Sequence, residues 1–64
     1  MNYRPVSADT VLEPGEHLFH ASIPWSRFER NARLVLDQPA SVAACERRLS
    51  QSWDTEVTIT EEAS

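Results

Sequence analysis

The stretch that decides the fold is ARLVLDQPASVAACERRLSQSWDTEVTITEE, residues 32–62. It begins with a short apolar run, residues 34–36, which polar residues and Pro39 then interrupt, a pattern typical of the end of a buried strand. Near its other end, residues 56–60 alternate polar and apolar side chains with the period of a half-buried strand. A helical pattern separates the two. The order strand, helix, strand predicts a β-α-β pass in which the helix covers a small sheet.

The helix is predicted over residues 39–53. Pro39 suits the first turn of a helix, where its missing N–H is no loss, and Asp37 or Gln38 would cap that turn. One apolar face recurs at helical spacing and consists of Val42, Cys45, Leu49 and Trp53. The solvent side is expected to carry Glu46, Arg47, Arg48, Ser50 and Gln51.

The sequence before residue 24 predicts a turn and two strands. Pro14 followed by Gly15, the single glycine, is typical of a type II turn, in which the glycine adopts a positive φ. Residues 9–12 and 17–23 flank this turn, and we expect them to pair as a hairpin. Residues 1–8 show no periodicity and are interpreted as a flexible arm.

Residues 25–37 fit two interpretations. As a helix, Ser26 and Glu29 would form a capping box. One side of that helix would carry an apolar stripe, Phe28, Ala32, Val35 and Leu36, and beside it would run a basic stripe, Arg27, Arg30 and Arg33. As a strand from 28 to 36, successive side chains point to opposite faces, so Arg30 lies on the face opposite that of Arg27 and Arg33. The strand is the preferred interpretation.

These elements predict one α+β domain spanning residues 1–64. We expect a single-layer antiparallel sheet packed on one main helix, in the order β-β-β-α-β, or β-β-α-α-β if residues 25–37 are helical. Residues 61–64 are expected to form an acidic tail.

Composition excludes several classes of protein. Ten acids against six bases give a net charge of −4, which disfavours direct binding to nucleic acid or to an anionic membrane. One cysteine cannot form an internal disulfide, and no N-terminal segment has the pattern of a secretory signal. We therefore expect a cytoplasmic protein whose partner is another protein.

Catalytic chemistry finds little support in the sequence. On a strand His17 and His20 point to opposite faces, and with Cys45 they give no zinc-binding spacing. Cys45 lies in the apolar helix face, where a small buried hydrophobe is expected. A single glycine cannot build a glycine-rich phosphate loop. The sequence therefore predicts no enzyme activity, no cofactor and no metal.

A partner-binding surface is predicted from exposed tryptophan and clustered acids. Trp25 follows Pro24 at a corner, and tryptophan is enriched at binding interfaces. The acids lie around the C-terminal strand and tail. The predicted contact residues are Trp25, Asp54, Glu56, Glu61 and Glu62.

In layout, size and acidity, residues 32–62 resemble the small anti-CRISPR proteins of phages and mobile elements. The resemblance implies a bacterial-host inhibitor without catalytic residues, which binds a subunit of a type I CRISPR effector and blocks its access to target DNA. It transfers no individual residue. The alternative is a non-catalytic accessory or structural module that forms a homo-oligomer, such as a homodimer, by pairing an open sheet edge.

Overall fold

A computed structural model describes residues 2–23, 25 and 28–63 of the chain. Within them the structure is α+β, with one helix and a four-stranded antiparallel sheet. The strands and helix, in chain order, are β1 (Asn2–Pro5), β2 (Val11–Leu12), β3 (Gly15–Ile23), β4 (Phe28–Leu36), β5 (Ala40–Ser41), α1 (Val42–Trp53) and β6 (Thr58–Ala63).

The main sheet has the strand order β1-β6-β3-β4, and all neighbouring pairs are antiparallel. β3 and β4 pair along their whole length, from Gly15 opposite Leu36 to Ile23 opposite Phe28. Since β4 and β6 are both antiparallel to β3, they run in the same direction, with β3 between them. The predicted pass from strand through helix to strand is therefore present, but its two strands are not neighbours.

The preferred interpretation of residues 28–36 as a strand is confirmed, since they form β4. Arg30 and Arg33 lie on opposite faces of this strand, so they do not form the basic stripe that a helix would have made. Ser26 and Arg27, which belong to the helical interpretation, lie outside the described residues, as does Pro24.

The predicted hairpin of residues 9–12 with 17–23 is wrong. Val11 and Leu12 instead pair with Ser41 and Ala40 in a separate two-stranded sheet. β3 takes β4 as its hairpin partner, because that pairing forms a ladder nine residues long. Gly15 has the expected positive φ, +129°, a backbone conformation that other residues rarely adopt, but it is the first residue of β3 and not part of the predicted type II turn.

The helix begins three residues later than predicted. Ala40 and Ser41 form β5, and the N-cap is Ser41, not Asp37 or Gln38. The Ser41 Oγ accepts a hydrogen bond of 3.2 Å from the backbone N–H of Ala44, which would otherwise lack an acceptor. Asp54, with φ 55° and ψ 43°, ends the helix in a left-handed conformation.

Removing this cap tests the corrected helix start. We expect S41A to lower the free energy of unfolding by about 1 kcal/mol, because the Ala44 N–H loses its acceptor. The matched control is S52A, the same deletion at an exposed position inside the helix, which should be neutral or slightly stabilising because alanine favours helix. Urea unfolding followed by circular dichroism measures both. An equal effect of the two substitutions would contradict the assigned cap.

The core lies between α1 and one face of the sheet. The predicted helix face is confirmed: Val42, Cys45 and Leu49 are buried, and Trp53 packs against them while partly exposed. The sheet and the segment before β6 supply the remaining buried apolar residues: Phe19, Ala21, Leu36, Val57 and Ile59. Phe19 and Ala21 on β3, Leu36 on β4 and Ile59 on β6 lie on the face of the sheet that the helix covers.

The expected arm and tail differ from the structure. Residues 2–5 form β1, and residues 61–63 extend β6, with Asn2 opposite Ala63. Arg4 and Glu61 are register partners, and their side chains form an ion pair of 3.3 Å. Met1 and Ser64 lie outside the described residues. The two segments therefore pair with each other in the main sheet.

Glu46 was expected on the solvent side of the helix but contacts the sheet. Its Oε2 accepts a hydrogen bond of 2.8 Å from the backbone N–H of Ile59. β1 ends near this point, where the Val6 N–H donates to the Ile59 carbonyl. The carboxylate thus gives an acceptor to a strand N–H that no backbone carbonyl satisfies on that side.

Candidate binding surface

The open face of the sheet, meaning the face opposite α1, exposes large apolar side chains on the adjacent strands β3 and β4. Leu18 on β3 is 77% exposed, and Val35 on β4 is 57% exposed. Leu18 is the register partner of Arg33, and Val35 is the partner of Glu16, so the two apolar residues occupy diagonal positions on adjacent strands. Long side chains at such positions are within reach of each other. We call Leu18 and Val35 the open-face patch.

A row of polar and aromatic side chains crosses all four strands beside this patch. His20 on β3 stacks on Tyr3 of β1, with ring centroids 3.7 Å apart and planes within 6°. The His20 Nδ1 lies 2.6 Å from the Oγ1 of Thr60 on β6, which separates β1 from β3. The His20 Nε2 lies 3.5 Å from a carboxylate oxygen of Glu29 on β4. The four side chains tie together strands that are distant in sequence.

The direction of the hydrogen bonds in this row follows from the single hydroxyl proton of Thr60. The Thr60 hydroxyl donates to the backbone carbonyl of His20 at 3.0 Å. Its oxygen must therefore accept from the imidazole, so Nδ1 of His20 carries a proton. The His20 Nδ1 and the Thr60 Oγ1 are therefore both hydrogen-bonded within the protein.

The predicted contact residues do not form one surface. Trp25 and Glu56 are in contact: the indole Nε1–H donates a hydrogen bond of 3.0 Å to the Glu56 carboxylate. The Trp25 side chain remains 82% exposed. Asp54 lies two residues before Glu56, at the end of the helix. Glu61 and Glu62 point to opposite faces of β6: Glu61 pairs with Arg4, and Glu62 is opposite Tyr3 on the open face.

A second tryptophan is held near the same end of the sheet. The guanidinium of Arg30 lies over the ring of Trp53, 4.3 Å from its centroid, in a cation–π contact. Arg30 projects from the covered face of β4. The arginine is therefore occupied by a contact that joins the sheet edge to the last turn of the helix.

Three side chains are the candidates for catalysis or metal binding: His17, His20 and Cys45. His17 bonds the Glu13 carbonyl at 2.6 Å on one face, while His20 lies on the other. Cys45 is fully buried, and burial raises the pKa of its thiol, partly opposed by the nearby Arg48. Among residues 2–23, 25 and 28–63 there is no pocket and no group of three candidate metal ligands.

Residues 2–23, 25 and 28–63 include no helix with the length and apolar character needed to cross a bilayer.

Leu18 and Val35 were not predicted as site residues. The signal for Leu18 was present in the sequence, because it lies between Phe19 and His17 and so leaves the face that Phe19, Ala21 and Ile23 share. Val35 lies within an uninterrupted apolar run, residues 34–36, which does not show which side chain is exposed. Such a run is typical of a strand buried on both sides, whereas here the helix covers only one.

A scan against models of protein families, a search of curated proteins and a search of solved structures each found no match to this chain. The fold and the surface define its class: a small α+β protein whose helix covers one face of a four-stranded antiparallel sheet and leaves the other face open.

Proposed function

We propose that this protein is a non-catalytic module that binds another protein through the open face of its sheet. The observation that carries the proposal is the open-face patch. In a chain of 64 residues with few large apolar side chains, Leu18 and Val35 are placed on the solvent side of the sheet, at 77% and 57% exposure.

Burial of the patch would make a partner complex favourable. Full burial of one such side chain contributes about 1.5–3 kcal/mol. A single exposed apolar residue is ordinary, whereas Leu18 and Val35 on neighbouring strands offer a partner two apolar contacts at one place. The paired strands beneath the patch are long and already ordered, so little conformational entropy is lost when a partner docks.

The charges around the patch indicate the chemistry of the partner. Among the described residues, the strands of the open face carry three acids, Glu16, Glu29 and Glu62, and one arginine, Arg33. The whole chain carries a net charge of −4. A partner with an apolar surface bordered by basic residues is the best complement. Subunits of a type I CRISPR effector are the first partner class to test, and the support for them is the resemblance in size, layout and acidity.

The test uses a purified type I CRISPR effector and its target DNA. We expect the protein to bind the effector and to reduce its DNA binding, and we expect L18D to weaken binding by about tenfold or more, because the aspartate would be desolvated in the interface. Binding is measured by surface plasmon resonance and DNA capture by mobility shift. No binding by the unaltered protein would exclude this partner class.

Two further variants locate the surface. V11D places the same charge at an exposed aliphatic residue in β2, outside the main sheet. This variant should bind like the unaltered protein. W25A removes an aromatic side chain that is 82% exposed, at the surface predicted from the sequence. Retained binding by W25A together with loss in L18D supports the open face, whereas the opposite result would move the interface to the Trp25–Glu56 pair.

A further inference from the structure

β4 forms one edge of the main sheet. It is nine residues long, and β3 is its single neighbour in the sheet of the described residues. Every second residue of an edge strand directs its N–H and C=O outward, where they are free to pair with another strand. A long, regular edge of this kind is a template for a ladder with a second chain.

The sequence of β4 is self-complementary in one antiparallel register. With Asn31 opposite Asn31 of a second copy, Glu29 of each copy lies opposite Arg33 of the other, so two ion pairs form on the open face. On the covered face, Arg30 lies opposite Ala32. Paired residues must share a face, and this register meets that condition at every position from 28 to 34.

The neighbouring registers that keep paired residues on the same face are unfavourable. A shift that centres the pair on Arg30 places two arginines directly opposite each other, which is destabilising in a cross-strand pair. A shift the other way, centred on Ala32, places Val35 opposite Glu29 and Leu34 opposite Arg30. The charge pattern therefore selects the register centred on Asn31.

We propose that two copies of this chain pair through their β4 edges, antiparallel and centred on Asn31, to form a continuous eight-stranded sheet. The two-fold axis is perpendicular to the sheet, so the helices of both copies lie on one side and the open faces on the other. This inference goes beyond the proposed function and is independent of it, because it uses the strand edge and not the open-face patch.

The intramolecular contacts of the two charged residues do not prevent the pairing. Glu29 is 3.5 Å from His20, and Arg33 is 3.8 Å from Glu16, and both Glu29 and Arg33 are more than half exposed. Both contacts are long, and Glu29 and Arg33 are themselves solvated, so the contribution of these contacts to stability is small. Each side chain can turn toward the facing strand at little cost.

Charge reversal provides the test by sedimentation analysis from about 1 µM to about 1 mM protein. The unaltered protein is expected to form dimers. R33E and E29R each place like charges opposite one another twice, and each should weaken self-association about ten- to a hundredfold. An equimolar mixture of the two variants should associate again, because every facing pair then consists of one acid and one arginine. The matched control E16R breaks the Arg33 contact within one chain and should remain dimeric.

Cysteine cross-linking tests the register. N31C brings two thiols together at a Cα–Cα distance of about 4.5–5.5 Å, which suits a disulfide, whereas V35C places them about 26 Å apart. The single native cysteine is buried and does not interfere. A monomer over the whole concentration range, or dimers of R33E as stable as those of the unaltered protein, would overturn the proposal. Dimers that cross-link through V35C and not N31C would overturn the register.

Discussion

I59A is expected to lower the free energy of unfolding by about 2–5 kcal/mol and to leave much of the protein unfolded at 25 °C. Ile59 is 2% exposed and lies on β6, one of the two central strands of the sheet. Its side chain belongs to the cluster between the sheet and the helix that includes Ala21, Cys45 and Leu49. Truncation removes apolar burial and leaves a cavity, and both effects destabilise the folded state.

The small size of the domain makes this loss decisive. A domain of this length buries only about 60% of the surface of its unfolded chain, and its core supplies about 3–5 kcal/mol. One cavity can therefore remove most of the net stability. Thermal and urea unfolding, followed by circular dichroism, give the change directly.

L18A is the matched control for I59A. It also truncates a branched aliphatic residue in a central strand, but on the open face, where Leu18 is exposed. We expect its effect on the free energy of unfolding to stay within about 0.5 kcal/mol. Equal effects of the two substitutions would mean that the core does not lie on the assigned face of the sheet.

The thiol of Cys45 is expected to react with a disulfide reagent about 10²–10³ times more slowly in the folded protein than in the unfolded chain. Cys45 has no exposed surface, so the reagent reaches it only when the core opens, and the population of that open state follows the free energy of unfolding. Labelling with and without denaturant, followed by mass spectrometry, measures the ratio. The variant I59A should lose most of the protection, whereas L18A should keep it.

This protection is expected to fall as the pH rises. Burial raises the pKa of the Cys45 thiol in the folded protein, while the unfolded thiol has a pKa of about 8.5. Below that pH both states hold the proton, and the stability is complete. Above it the unfolded chain ionises first, so unfolding becomes more favourable, by up to about 1.4 kcal/mol per pH unit, until the folded-state pKa is reached. The free energy of unfolding of C45A should not show this fall at alkaline pH. An equal fall in C45A would mean that another ionising group causes it.

Local patterns predicted those elements whose signal lies within their own residues. The apolar face of the helix follows from the spacing of Val42, Cys45 and Leu49, and all three are buried. The alternation over residues 28–36 and 56–60 likewise gave the strands β4 and β6. In the helix and in residues 56–60 the periodicity states directly which face is apolar, whereas the apolar run of residues 34–36 does not.

Pairing partners were not predictable in the same way. The turn at Gly15 suggested that the segments on either side pair with each other, but Leu12 pairs with Ala40, and β3 pairs with β4. Which ladder forms depends on the total length of paired strand and on the packing of the helix above it. Neither quantity is a property of a few neighbouring residues.

The residues predicted to bind a partner show the same difference between what local sequence predicts and what the fold decides. Glu61 and Glu62 are adjacent in sequence and were expected to act together, but strand geometry places them on opposite faces. Trp25 and Glu56 are far apart in sequence, and the fold brings them into hydrogen-bond contact. Adjacency in sequence therefore said little about adjacency on the surface.

The sequence by itself determined that this protein is a small α+β domain with one amphipathic helix, because propensity and periodicity act locally. Only the tertiary structure decided which face of the sheet the helix covers, and hence that Leu18 and Val35 are exposed while Cys45 and Ile59 are buried. It also decided that β4 forms an edge. These features follow from long-range packing, in which each strand's position depends on all the others.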